Sequence, residues 1–168
     1  LRLLLVQGVE TQRIWQVTPL IKDVSHGAVQ GRTVSADLPE LSDNGAAYLV
    51  ELLIPARAPG RYRFAQAELS YDIPIEGQYG VKQRVNLMLD VTAESVAEPA
   101  NKRVMNVIER VTAFKLQTQA LSEADMGNIA GATRKLRAAH TRLLDLGEME
   151  MAQSALNEVE RLEQGQGF

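Results

Sequence analysis

The chain has 168 residues and no cysteine, which excludes disulfides, thiolate metal sites and a cysteine nucleophile. Hydrophobic residues make up 45% and charged residues 23%, a balance typical of a folded globular protein. The net charge of −3 lacks the basic excess of a dedicated nucleic-acid binder. No apolar run is long enough to span a membrane, and residues 1–6 are too short for a signal peptide. We therefore expect a cytoplasmic protein that binds neither nucleic acid nor a membrane.

The first part of the chain alternates apolar and polar residues, and this period of two predicts half-buried β-strands. The run 47–54 is almost continuously apolar, so we expect that strand to be buried on both faces. Turns are expected at Gly8, at 42–45, at 55–60 and at the loop that contains Gly77 and Gly80. The expected strands are 1–6, 13–18, 29–38 with an interruption at Gly31, 47–54, 61–72 and 81–93.

These short strands predict an immunoglobulin-like antiparallel β-sandwich over residues 1–97, with a barrel as the alternative. The single tryptophan, Trp15, is expected to fill its core or, alternatively, to be exposed at a domain interface. The chain begins inside the first strand without a methionine, so we expect it to be a fragment of a longer protein. We also expect that first strand to lie at an edge of the sandwich, where it could support weak self-association.

At Glu98-Pro99 the apolar spacing changes to three and four residues, which predicts amphipathic helices over about 100–125, 129–146 and 149–164. Pro99 suits a first helical turn, and Gly147 suits the residue that follows a helix end. Short connections make neighbouring helices antiparallel, so residues 98–168 are predicted to form a three-helix antiparallel bundle. A tetratricopeptide-like array is the alternative, although the length allows barely two repeats. The fold class is thus α+β, with the strands and the helices segregated along the chain.

No catalytic motif is present, so we expect no enzyme activity, no cofactor and no divalent metal site. The segment Asp23-Val24-Ser25-His26-Gly27 has part of the Asp-x-Ser-x-Ser metal motif but lacks its second serine, and a turn is the favoured interpretation. The two histidines, His26 and His140, have no second ligand at a metal-binding spacing, so we expect structural roles for both.

One basic run stands out on the second predicted helix. It comprises Arg134, Lys135, Arg137 and Arg142. A solvated helix face is the simpler interpretation, and a surface for an acidic protein partner is the functional one. Acidic residues on the third predicted helix could offset part of this charge.

Several segments resemble the region that follows the von Willebrand factor A (VWA) domain in a group of bacterial proteins. They are residues 47–55, 59–67, 104–109, 113–118, 132–139 and 142–148. The resemblance implies that the intact protein has an upstream VWA domain with its own metal-dependent adhesion site. None of that site's residues falls in this chain.

The resemblance implies a non-catalytic accessory or scaffold region that positions the VWA domain of the same polypeptide and contacts a protein partner of unknown identity. Two alternatives stay open at the level of sequence. One is a tetratricopeptide-like helical adaptor that binds a peptide or protein partner, and the other is a β-sandwich that binds a ligand such as a carbohydrate.

Overall fold

A computed structural model of the protein describes residues 1–38, 45–94 and 100–165. The chain divides into two compact units, Leu1–Glu98 and Pro99–Phe168. The first unit contains two antiparallel β-sheets and the second contains three long helices, so the protein is mixed α+β.

The first unit has eight strands among its described residues. The strands are β1 Arg2–Leu5, β2 Glu10–Thr18, β3 Lys22–Asp23, β4 Val29–Gln30, β5 Thr33–Ser35, β6 Ala47–Leu53, β7 Gly60–Ile73 and β8 Gln78–Val91. The larger sheet has the order β4-β5-β1-β7-β8 and the smaller one has the order β3-β2-β6. A short helical turn, α1 (Ser25–Ala28), lies between β3 and β4, and a 3₁₀ turn (Pro74–Glu76) joins β7 to β8.

The two sheets share one apolar core. Alternation along β1 directs Leu3 and Leu5 inward, and Ile14 of β2 meets them from the smaller sheet. The whole buried cluster comprises Leu3, Leu5, Val9, Ile14, Ala28, Val34 and Ala65. Trp15 is buried, but it follows Ile14 on β2 and therefore points to the other face of the smaller sheet, outside this cluster.

The strand predicted over 29–38 differs from the structure. The single strand expected over 29–38 is two short strands, β4 and β5, which pair with each other as a hairpin around Gly31. The backbone of Gly31 has φ +59°, a left-handed conformation that glycine adopts without steric cost. The strand β3 and the helical turn α1 were not predicted, because each is too short to show an apolar period.

The positions of β1 and β6 in the sheets are also corrected. The prediction of β1 as an edge strand is wrong, because β1 pairs with β5 on one side and β7 on the other. The prediction of β6 as a strand buried on both faces is wrong too, since Leu53 is 56% exposed. Among the described strands β6 pairs with β2 alone, so it is an edge strand. The expected turn at 42–45 lies outside the described residues except for Gly45.

The second unit consists of α2 (Lys102–Asp125), α3 (Ile129–Asp145) and α4 (Met149–Glu163). Asn101 caps α2, where its side chain accepts hydrogen bonds from the backbone N–H groups of Arg103 and Val104. Asn128 caps α3 in the same way through Gly131 N–H. The expected helix start at Pro99 lies outside the described residues. Within the part of the chain that is described, none of the helices combines the length and apolar character needed to cross a bilayer.

The two connections between these helices have the same geometry. Gly127 and Gly147 both adopt a left-handed conformation, with φ +80° and +77°. The next residue then donates its N–H back to the carbonyl five residues earlier, at 2.8 Å for Asn128 and 2.9 Å for Glu148. This is a Schellman-type end, and it reverses the chain within three residues. It makes α3 antiparallel to both α2 and α4.

Small residues let the helices approach closely around α3. Two buried clusters each draw residues from all three helices, and Leu136 in the middle of α3 is only 2% exposed. The clusters are Ala113, Ala139, Leu143, Ala152 and Ala155, and Ala120, Ala132, Leu136, Val159 and Leu162.

Candidate functional site

The basic run on α3 divides between two sides of the helix. Lys135 and Arg142 are seven residues apart and therefore share a side. Lys135 Nζ lies 3.4 Å from Glu123 Oε1, and the guanidinium of Arg142 pairs with the carboxylate of Glu109, both on α2. These two ion pairs connect α3 to α2.

Arg137 lies on the side of α3 that faces α4. Its Nη2 lies 2.6 Å from Oε1 of Glu163 on α4. Arg134 is exposed and forms no ion pair with any residue that the structure describes. The four cations therefore do not form one patch, and three of them are already paired within the chain.

The two histidines belong to different units, since His26 is part of the Asp23 segment in the first unit and His140 lies on α3 in the helical unit. His140 is half-buried, and its Nδ1 lies 2.8 Å from the carbonyl oxygen of Ala152, so it bridges α3 and α4. His26 lies in α1 with a non-helical backbone. Among the described residues, no group of three or more His, Asp or Glu side chains could hold a metal ion.

Ser25 organises the turn that the partial metal motif forms. Its hydroxyl donates to Asp23 Oδ1 at 2.5 Å, and the same oxygen accepts the Ser25 N–H at 2.9 Å. These bonds hold the pKa of Asp23 below its ordinary value, the hydroxyl being the larger cause. The Ser25 hydroxyl oxygen also accepts the Ile14 N–H at 3.0 Å. The motif residues thus close a turn against β2.

Another carboxylate is paired on the outer face of the larger sheet. Glu68 of β7 stands opposite Arg84 of β8, and Arg84 Nε donates to Glu68 Oε2 at 2.5 Å. This bond lowers the pKa of Glu68. The pair joins two neighbouring strands, as a cross-strand ion pair of a sheet surface does.

The first unit has an apolar cleft of about 570 Å³ between its two sheets. Tyr48 carries the one polar side-chain group on its walls, and that hydroxyl already donates to the Asp37 carbonyl at 3.3 Å. We call this feature the inter-sheet cleft. Its walls are Leu1, Leu3, Ile14, Val34, Ala36, Leu38, Ala46, Tyr48, Val50, Leu52, Phe64, Ala67, Leu69 and Leu87.

Apolar surface next to the inter-sheet cleft is exposed on β8. Val85 of β8 faces the same way as Leu87, which lines the cleft, yet Val85 is 60% exposed. This part of the apolar face of β8 is therefore not covered by the smaller sheet among the residues that the structure describes. The sequence does not reveal the cleft, because an alternating strand has the same apolar pattern whether or not its apolar face is covered.

The helical unit has a smaller groove of about 300 Å³. It is lined by Phe114, Gln117, Thr118, Leu121, Leu136 and Glu158, from all three helices. Leu121 is 42% exposed there.

Comparisons with known proteins give one family match and one structural match. Residues 102–168 match the family described as "Sll0103-like, C-terminal alpha-helical domain". The whole fold is similar to a solved structure described as "von Willebrand factor type A from Catenulispora acidiphila", with a TM-score of 0.70 and 17% sequence identity. No curated protein sequence matches the chain significantly.

The structural match covers 92% of this chain but only 37% of the Catenulispora acidiphila chain. At this level of identity the match shows the fold alone. The two units described above, strands first and helices second, therefore have a counterpart within a longer bacterial chain.

Proposed function

We propose that this chain is a non-catalytic accessory region of a VWA-domain protein, in which it positions the VWA domain and offers a surface for a protein partner. The finer fold that goes with this proposal is an immunoglobulin-like sandwich followed by an antiparallel three-helix bundle. The observation that supports it most is the unequal coverage of the structural match, 92% of this chain against 37% of a chain titled von Willebrand factor type A. The resemblance of the segments quoted above points the same way.

The polar side chains that would be candidates for chemistry are engaged in local structure. His140 bonds a backbone carbonyl, Ser25 closes a turn with Asp23, and Glu68 pairs with Arg84. A catalytic acid, base or nucleophile needs access to a substrate atom. These contacts favour a structural role for each group, and they support the proposal that the region does not catalyse a reaction.

The test is to express this chain and a VWA domain from the same polypeptide separately and to mix them in a calorimeter. We expect saturable binding and a rise in the melting temperature of at least one partner, because a ligand that binds only the native state stabilises it. Absence of both binding and mutual stabilisation, together with turnover of a substrate by this chain alone, would overturn the proposal.

A second candidate function is a tetratricopeptide-like adaptor, and the groove on the helical unit favours it. The two connections of identical geometry give the unit a repeat-like construction, and the groove presents Phe114 and Leu121 beside polar Gln117 and Thr118. Screening displayed amphipathic peptides against the chain tests this function. Leu121→Glu should remove binding of a selected peptide. Leu144→Glu is the matched control, since Leu144 is 41% exposed and does not line the groove.

A further inference from the structure

We infer that a strand from elsewhere in the same polypeptide pairs with β6 and covers the inter-sheet cleft. This strand lies outside the present chain and has apolar residues at alternate positions. The inference rests on one part of the proposed function, namely that the chain is a region of a longer protein. It does not require the covering strand to belong to the VWA domain.

The edge of β6 has little protection of its own. Along Ala47–Leu53 this strand pairs with β2, and no described strand pairs with its other side. Exposed edges are usually short, or carry several charges or a proline, because their unpaired N–H and C=O groups are a template for another chain. β6 has seven residues, with Glu51 as its single charged residue and no proline. Such an edge is suited to pairing rather than to exposure.

The cleft indicates which end of the smaller sheet is extended. Among the described strands this sheet can grow only at β3 or at β6, because β2 is paired on both sides. Tyr48, Val50 and Leu52 of β6 line the cleft, whereas no residue of β3 does. A strand beside β6 would direct its alternate side chains to the same side. Those positions have to be apolar, because the cleft walls are almost entirely apolar.

Val85 is the residue that reports the cover. It stands opposite Ala67 of β7, which lines the cleft, so Val85 belongs to the cleft-facing side of β8. It is nevertheless 60% exposed. Apolar side chains of the added strand would remove it from water, and this burial would stabilise the pairing.

A permanent cover favours the same polypeptide as its source. The cleft is continuous with the core, since Leu3, Ile14 and Val34 belong to both. An unprotected edge beside an open apolar cleft is a site of aggregation whenever its partner is absent. A covalently attached strand is present at high effective concentration at any dilution of the protein. The Catenulispora acidiphila chain carries the matched fold in only 37% of its length, so this fold does occur with further polypeptide attached.

A single introduced cysteine tests the cover at Val85, because the chain has no cysteine of its own. Maleimide labelling of Val85→Cys is compared in this chain alone and in the intact polypeptide, and mass spectrometry of the peptide that contains the residue measures the rate. We expect labelling to be slower by about tenfold or more in the intact polypeptide, because a covered thiol reacts only after local opening. Equal rates would overturn the inference.

Met88→Cys is the matched control. Met88 lies on the same strand, is 41% exposed and faces the opposite side of the sheet. Its labelling rate should be the same in both proteins within about twofold, because the added strand does not reach this face. Circular dichroism melts establish that both variants fold. Equal slowing of both thiols would overturn the inference, since it would mean that the cover is not confined to the cleft.

Hydrogen exchange tests the pairing with β6. The β6 amides should exchange more slowly in the intact polypeptide than in this chain alone. The amides of β4 are the control, because β4 is the edge strand at the far end of the larger sheet and lines no part of the cleft. Slow labelling of Val85→Cys without added protection of β6 would overturn the inference, because the cover would then not be a strand of this sheet.

Dilution identifies the source of the cover. A strand of the same polypeptide protects Val85→Cys equally at every protein concentration. Protection that is lost on dilution of the intact polypeptide, or that appears in this chain alone as its concentration rises, would identify a second copy as the occupant. Either result would overturn the inference.

The two proposals fail separately. Binding of the separated VWA domain to this chain, with fast labelling of Val85→Cys in the intact polypeptide, would leave the proposed function standing and overturn this inference. Slow labelling and protected β6 amides in the intact polypeptide, without binding of the separated VWA domain, would support this inference and count against the proposed positioning role.

Discussion

At the scale of single residues, the Ser25 hydroxyl controls the acidity of Asp23. The two bonds that Ser25 donates to Asp23 Oδ1 favour the ionised carboxylate and lower its pKa. A carboxyl whose pKa is lower in the folded state contributes stability that is present above its unfolded pKa. That contribution is lost as the pH falls through the folded pKa.

We therefore expect Ser25→Ala to raise the pKa of Asp23 toward its ordinary value. The difference in free energy of unfolding between wild type and variant should be largest at neutral pH, where the Asp23 carboxyl is ionised in both the folded and the unfolded state. It should shrink as the pH falls from the unfolded pKa of Asp23 through its folded pKa, leaving the part due to the lost bond from Ile14 N–H. NMR titration of the Asp23 carboxyl and urea denaturation at several pH values measure both effects. Ser25→Thr keeps the hydroxyl and is the control, and a difference that is constant with pH would contradict the prediction.

Leu136 tests the packing of the helical core. It is 2% exposed and contacts residues of both neighbouring helices, so Leu136→Ala should cost about 2–5 kcal/mol of unfolding free energy through lost burial and a cavity. Its neighbour Arg137 is the control, because its pair with Glu163 is mostly exposed and should contribute at most about 1 kcal/mol. Chemical denaturation followed by far-ultraviolet circular dichroism compares the two variants. Equal losses would mean that the buried face of α3 is assigned wrongly.

At the scale of secondary-structure elements, Gly147 determines where α3 ends. Its φ of +77° is costly for a residue with a side chain, although a Cβ there would meet no neighbouring atom. Gly147→Ala should therefore destabilise the protein by about 1–2 kcal/mol through backbone strain alone. Gly147→Asn should cost less, since asparagine tolerates this conformation better. Thermal denaturation of both variants checks the order, and an Asn variant less stable than the Ala variant would contradict it.

The helices could be predicted closely because their signal is local. Apolar residues three and four apart in 102–125 and 129–145 carry the period of the helix within each segment. The pairing of strands is not local. The apolar run of β6 looks like a central strand, and only its partners show that it is an edge.

The candidate sites also combine local features, which the sequence indicates, with non-local ones, which it does not. The spacing of Lys135 and Arg142 indicates that they share a side of α3, but their partners Glu109 and Glu123 are fixed by the packing of α2. The inter-sheet cleft depends on the unequal widths of two sheets, which no segment of sequence encodes by itself. The sequence could therefore identify the basic residues but not their pairing, and it contained no sign of the cleft.

At the scale of the whole molecule, the separate cores of the two units predict two resolvable unfolding transitions. Trp15 is the single tryptophan and lies in the first unit, so its fluorescence follows that unit, whereas far-ultraviolet circular dichroism is dominated by the three helices. Leu136→Ala should shift the dichroism transition to lower urea and move the fluorescence transition much less. Equal shifts of both signals would show that the chain unfolds as one cooperative unit.

The central position of β1 has a consequence for folding during synthesis. β1 leaves the ribosome before the strands that it pairs with, so Leu3 must wait for Val34 and then for Ala67 before it has both of its strand partners. Each long helix needs only its own residues and its neighbour in sequence, and such local contacts form faster than distant ones. β1 is thus synthesised before its partner strands and is among the last strands of this unit to be completed, with its leucines uncovered in the meantime. Slowing translation between β1 and β7 should therefore increase aggregation of the nascent first unit, while the helices fold at their usual rate.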